Sequence, residues 1–121
     1  MTKIKILVIE CDEGIRKLIC EFLEGAGYEV VLAHSGDAGL FALRADSEIK
    51  AAIVNSYLPD MSGYEFARAV KREFPAVKLL LFTGASQEEV EDKAFEAGFS
   101  VALYKPWIGY LAQSLRELLP E

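Results

Sequence analysis

"IVNSYLPDMSG", residues Ile53 to Gly63, contains a change of structural period. Ile53 and Val54 close an apolar, strand-like run that starts at Ala51. Asn55 ends it, and Leu58-Pro59-Asp60-Met61-Ser62-Gly63 follows as a dense turn signal. Past Gly63, Phe66, Ala67, Val70 and Phe74 recur at helical spacing until Pro75 stops the pattern. Strand, turn and helix in that order make a βα unit. The position that closes the strand holds an amide, which is neither an acid, a base nor a useful nucleophile.

The same alternation runs outward in both directions. Ile4 to Ile9 is a β-rich run, and Asp12 can cap a helix whose stripe is Ile15, Leu18, Ile19, Phe22 and Leu23, stopped by Gly25 and Gly27. Tyr28 to Ala33 reads as a second strand, and Ser35 as the cap of a helix carrying Leu40, Phe41 and Ala45. Val77 to Phe82 is a fourth strand, and Ser86-Gln87-Glu88-Glu89 has the form of a capping box. Its helix stops near Gly98, Val101 to Tyr104 is a fifth strand, and Ile108, Leu111, Ala112, Leu115, Leu118 and Leu119 pattern a last helix. Strands apolar at nearly every position are buried on both faces, which predicts a parallel sheet with helices on each side. The pattern is an α/β single domain over residues 1–121, with five βα units and helices on both faces of the sheet.

Composition narrows the function classes. The net charge of −6 disfavours nucleic acid and anionic membranes as partners. No apolar run approaches the roughly 20 residues of a membrane span. Met1-Thr2-Lys3-Ile4 enters a strand pattern directly, which leaves no room for a signal peptide and predicts a cytoplasmic protein. Cys11 and Cys20 are expected to be reduced thiols, not a disulfide framework.

In such sheets the ligand site lies beyond the carboxyl ends of the strands. Those ends are Glu10-Cys11-Asp12, Asn55-Ser56, Thr83-Gly84 and Lys105-Pro106. A strand-end hydroxyl and an ammonium suit a phosphoryl group, Thr83 donating to one oxygen and Lys105 neutralising another. Mg²⁺ asks for hard oxygen ligands, and covalent phosphoryl transfer asks for a nucleophile such as an Asp carboxylate.

"KILVIECDEGIR" (Lys5 to Arg16), "LPDMSGYE" (Leu58 to Glu65), "LLLFTGAS" (Leu79 to Ser86) and "ALYKPW" (Ala102 to Trp107) together resemble the receiver domain of two-component response regulators. The resemblance implies a doubly wound, flavodoxin-like five-stranded sheet of order 2-1-3-4-5 and a non-enzymatic role in phosphorelay signalling. It puts Glu10 and Cys11 at the family's acid pair, with Cys11 in place of a direct Mg²⁺ ligand and Asp12 just outside the pair. It puts Asn55 at the phosphoacceptor Asp, Thr83 and Lys105 at the phosphate contacts, and Ala102 at the aromatic switch, three residues before the lysine. Pro106 follows the lysine at a bond that is often cis in this family. Tyr104 lies on the opposite pleat from Lys105 and is not counted as the switch.

Three departures coincide at Asn55, Cys11 and Ala102. The Asn55 amide cannot attack a phosphohistidine to form an acyl phosphate. Each unit charge lost about 4 Å from a cation removes up to about 4 kcal/mol of attraction at an effective dielectric of ~20. The expectation is a pseudo-receiver with no cofactor and with weak or absent Mg²⁺ binding. Its partner would be a histidine kinase, an output domain or another regulator, with homodimerisation through the fourth helix, fifth strand and fifth helix as a further possibility. A conventional phosphorylatable receiver is the competing reading. A flavodoxin-like FMN protein is a third, which the acidic Glu10-Cys11-Asp12-Glu13 stretch argues against because it would repel phosphate.

Each residue also has a structural reading. Asn55 would hydrogen-bond Thr83, Lys105 or backbone, and Glu10 and Lys105 would form a plain ion pair. Ser56 would point away from Asn55 and so be no substitute acceptor. Cys11, readable as a redox thiol beside Lys105, would be a small packed residue, and Cys20 part of the core. His34 would be a solvated loop residue, and Glu88, Glu89, Glu91 and Asp92 a solvated helix face. Phe99, Tyr104, Trp107 and Tyr110 divide between lateral core and a partner-docking interface.

Overall fold

Five strands pair in parallel in the order β2-β1-β3-β4-β5. The computed structural model describes residues 3–105 and 108–119. The strands are β1 (Lys5–Ile9), β2 (Glu29–Ala33), β3 (Ile49–Val54), β4 (Lys78–Thr83) and β5 (Val101–Tyr104). They alternate with α1 (Glu13–Gly25), α2 (Gly36–Ala45), α3 (Gly63–Glu73), α4 (Gln87–Ala97) and α5 (Tyr110–Leu118). Pro106 and Trp107 lie outside the described residues. Among the described residues no helix is long and apolar enough to cross a membrane.

The pleat divides the apolar strand residues between two core layers. Leu7, Ile9, Val54, Leu79 and Leu81 pack with Leu40, Leu43, Phe66, Val70 and Val90, under α2, α3 and α4. Ile6, Val8, Ile53, Leu80 and Phe82 pack with Ile19, Leu23, Leu111 and Leu115, under α1 and α5. This burial on both faces is why the strands read as continuous apolar runs.

Local chemistry sets the helix ends. Asp12 Oδ1 accepts the Ile15 N–H at 2.9 Å to start α1. Gly27 ends it with φ 98°, as the Tyr28 N–H reaches the Leu23 carbonyl and the Gly27 N–H the Glu24 carbonyl. Gly25 is the last residue of α1 and not a stop signal. Two groups cap α2. Ser35 Oγ accepts the Ala38 N–H at 3.1 Å, and the Asp60 carboxylate accepts the Gly36 and Asp37 N–H groups at 2.9 Å each. Asp60 therefore ties the loop after β3 to the start of α2. Those N–H groups, that of Asp37 foremost, hold its carboxyl below the ordinary range.

Several expectations are corrected. Ser86 precedes α4 but makes no side-chain cap bond. The reciprocal capping box is at Ser62 and Glu65, opening α3. Leu18 is exposed at the edge of the α1 stripe. On α2 the buried residues are Gly36, Gly39, Leu40 and Leu43, while Phe41, about 100° further round, is 72% exposed and Ala45 also faces solvent. Cys20 is half-buried, not core. His34 and the acidic residues of α4 are exposed, as expected.

Gly63 shows how tightly α3 meets the sheet. A Cβ there would collide with the Asn55 carbonyl oxygen, and the Gly63 N–H donates to the Ser56 carbonyl at 2.8 Å. The absence of a side chain at 63 lets the helix start directly over the end of β3.

Candidate functional site

Register brings the strand ends together. Ile9 pairs with Val54, Val54 with Leu81, and Thr83 with Tyr104. Glu10 and Asn55 are each one residue past a paired position. Period-two alternation puts Glu10, Asn55 and Lys105 on the side of Val8, Ile53 and Phe82. Ser56, Thr83, Ala102 and Tyr104 lie on the other side, with Val54 and Leu81.

Glu10 is the hub of the first group and is 2% exposed. Its Oε1 lies 2.8 Å from Lys105 Nζ. Its Oε2 accepts Asn55 Nδ2 at 3.3 Å and the Asp12 N–H at 3.2 Å, and its carbonyl oxygen accepts Arg16 Nη1 at 2.8 Å. Lys105 Nζ also sits 5.8 Å from the centroid of the Phe82 ring. The ion pair is the structural reading of these two residues. Asn55 differs from its structural reading: its side chain donates to Glu10, not to Thr83, Lys105 or backbone.

Thr83 is 1% exposed and anchors the second group. Its Oγ1 accepts the Ala85 N–H at 3.1 Å and shares a 2.7 Å hydrogen bond with Ser56 Oγ. Ser56 does turn away from Asn55, but Thr83 occupies the face it turns toward. Counting alternation on β4 as well as β3 would have found the pair. Arg16 and Asp60, which hold Glu10 and the loop after β3, carried no comparable signal because their partners are distant in sequence or main-chain.

The remaining candidates separate. Cys11 is exposed, so it is not a packed residue. Asp12 is used as the α1 cap. Ala102 and Tyr104 are half-buried and pack on the layer beneath α4. Phe99 is buried edge-on to Tyr64, with ring centroids 6.4 Å apart, and so belongs to the lateral core. Burial pushes the Tyr64 and Tyr104 hydroxyls above their ordinary range. Tyr110 is 56% exposed at the start of α5, while Trp107 lies outside the described residues.

The donors suit Mg²⁺ poorly. They are one carboxylate already shared between an ammonium and an amide, an exposed thiol and a neutral amide. Mg²⁺ takes hard oxygens in near-ideal octahedral geometry.

The model of the response regulator receiver domain matches residues 6–116. The chain belongs to the response regulator receiver domain family. Receiver domains of this kind are the signal-accepting part of two-component response regulators. The chain is 33% identical over 115 residues to the KDP operon transcriptional regulatory protein KdpE of Escherichia coli, covering 94% of this chain and 50% of that protein. It is 31% identical over 124 residues to a probable transcriptional regulatory protein of Picosynechococcus, covering 98% and 47%. The receiver domain thus spans about half the length of these relatives. Among solved structures, chemotaxis protein CheY4 of Vibrio cholerae superposes with a TM-score of 0.90 at 26% identity, covering 98% of this chain and 100% of that one. A putative response regulator of Chloroflexus aurantiacus superposes at 0.92 with 25% identity, covering 99% and 100%.

Proposed function

We propose that this receiver domain is a pseudo-receiver, which signals by protein contact without taking a phosphoryl group on Asn55 and without retaining Mg²⁺. The observation that supports this is the Glu10 hub. The position of the acceptor carboxylate is filled by an amide that donates to Glu10, and the same carboxylate is neutralised by Lys105. An amide nitrogen engaged as a donor offers no oxygen nucleophile for a phosphoryl group. Thr83 and Lys105 are held by Ser56 and Glu10, so the groups that would grip phosphoryl oxygens have protein partners instead.

The contacts would be made with a histidine kinase, an output domain or another regulator of a phosphorelay in the cytoplasm. The similar transcriptional regulatory proteins are about twice as long as the matched segment, which favours an output domain as one such partner.

Incubation with acetyl phosphate and Mg²⁺, followed by intact mass measurement, is expected to show no added phosphoryl group. A stoichiometric, hydroxylamine-labile adduct would overturn the proposal.

A further inference from the structure

The strand-end pocket is not the only place where cations converge. A cavity of about 270 Å³ lies between α3 and α4, lined by Ser62, Tyr64, Arg68, Lys93 and Glu96. Arg68 and Lys93 approach it from different helices. Among the described residues the ion pairs are made by Lys5, Arg44 and Lys105, so neither Arg68 nor Lys93 is within ion-pair distance of an acid. This holds although the chain carries −6 net and α4 alone carries Glu88, Glu89, Glu91, Asp92 and Glu96. Arg68 and Lys93 outweigh Glu96 on the lining by one charge, against the sign of the whole molecule, although Glu89 of α4 also acts on the Tyr64 hydroxyl.

The other lining groups add donors. Ser62 caps α3, its Oγ accepting the Glu65 N–H, and its hydroxyl proton remains to be donated. Tyr64 is held edge-on against Phe99, and its phenolic hydroxyl is a donor near neutral pH. A guanidinium fork, an ammonium and two hydroxyls form the donor set that a tetrahedral oxyanion takes. The volume accommodates one phosphoryl group and a short arm.

We propose that the cavity between α3 and α4 is a binding site for a phosphomonoester group, presented by a small metabolite or by a phosphorylated side chain of a partner. It shares no lining residue with the strand-end site at Glu10, Asn55, Thr83 and Lys105. Glu96 sets its strength by opposing the two cations.

The test is a titration of ¹⁵N-labelled protein with inorganic phosphate, O-phosphoserine and a short phosphoserine peptide, at matched ionic strength. Saturable shifts are expected at residues 62–68 and 93–97. O-phosphoserine binding as tight as the peptide assigns the free metabolite as source, and peptide binding at least about tenfold tighter assigns a partner side chain, a gap of about 1.4 kcal/mol. Arg68→Gln with Lys93→Gln should weaken binding at least about tenfold, and Glu96→Gln should tighten it, a gain that damage to the fold would not produce. The proposal is overturned if no ligand saturates, if shifts centre on residues 10, 55, 83 and 105, or if Glu96→Gln leaves affinity unchanged.

Discussion

At the scale of single residues, the buried carboxylate of Glu10 governs the site. It has left water, and Lys105 supplies its counter-charge at 2.8 Å. Removing one partner of a buried pair leaves an uncompensated charge, whereas removing both charges does not. Lys105→Met should therefore cost about 3 kcal/mol in urea denaturation. Adding Glu10→Gln to that variant should recover most of the loss. A single-variant cost below about 1 kcal/mol would show that Glu10 does not need the lysine. Restoration of chemistry is also a residue-scale matter. Asn55→Asp with Cys11→Asp should bind Mg²⁺ and beryllofluoride, with Thr83 and Lys105 exchanging Ser56 and Glu10 for the fluorides once the metal engages the carboxylates. Asn55→Asp alone should bind less, with only one new carboxylate beside Glu10.

At the scale of elements, the loop after β3 and the start of α2 depend on each other through Asp60. Its carboxylate takes two main-chain N–H groups that α2 leaves unsatisfied. Because its folded pKa is lowered, the stability it contributes is full above the unfolded value of about 3.9. That contribution is lost as the pH falls through the lower folded value. Asp60→Asn should cost about 1 kcal/mol near neutral pH, as for a lost cap. The gap to the parent protein should narrow as the pH falls below the unfolded value of about 3.9. Thermal melts across that range check it, and a gap that does not change with pH would mean that the carboxylate charge is not what holds the loop.

At the scale of the whole molecule, ligand linkage and transmission become measurable. Mg²⁺ stabilises only in proportion to its affinity, and a Kd equal to the metal concentration yields about 0.4 kcal/mol. At millimolar Mg²⁺ the rise in Tm should stay under about 3 °C, and a larger, magnesium-specific rise would show a working metal site. In the doubly restored variant, beryllofluoride should shift amides near residues 10–12, 55–57, 83–85 and 105. Ala102 offers no ring to move behind Thr83, and Tyr104 is packed against the layer under α4. Shifts spreading through residues 87–104 would show that transmission survives without an aromatic at 102.

The parallel sheet was legible in the chain because strands buried on both faces leave continuous apolar runs, its order was legible only through the family resemblance, and β5 falls at the expected Val101–Tyr104. The convergence of Glu10, Asn55, Thr83 and Lys105 at strand ends was legible for the same reason, since parallel strands all present their carboxyl ends to one side. Helix faces were less so: Leu18 and Phe41 count as apolar in any pattern, but only the position of neighbouring elements decides whether a stripe's edge is covered. Ser62-Gly63-Tyr64-Glu65 and Ser86-Gln87-Glu88-Glu89 share one capping-box signature, and only side-chain geometry decides that the first closes and the second does not. The partners of Asn55, Ser56 and Asp60 lie 45, 27 and 23 to 24 residues away. Hydrogen bonds over such separations follow from register and loop packing, which only the assembled tertiary structure sets.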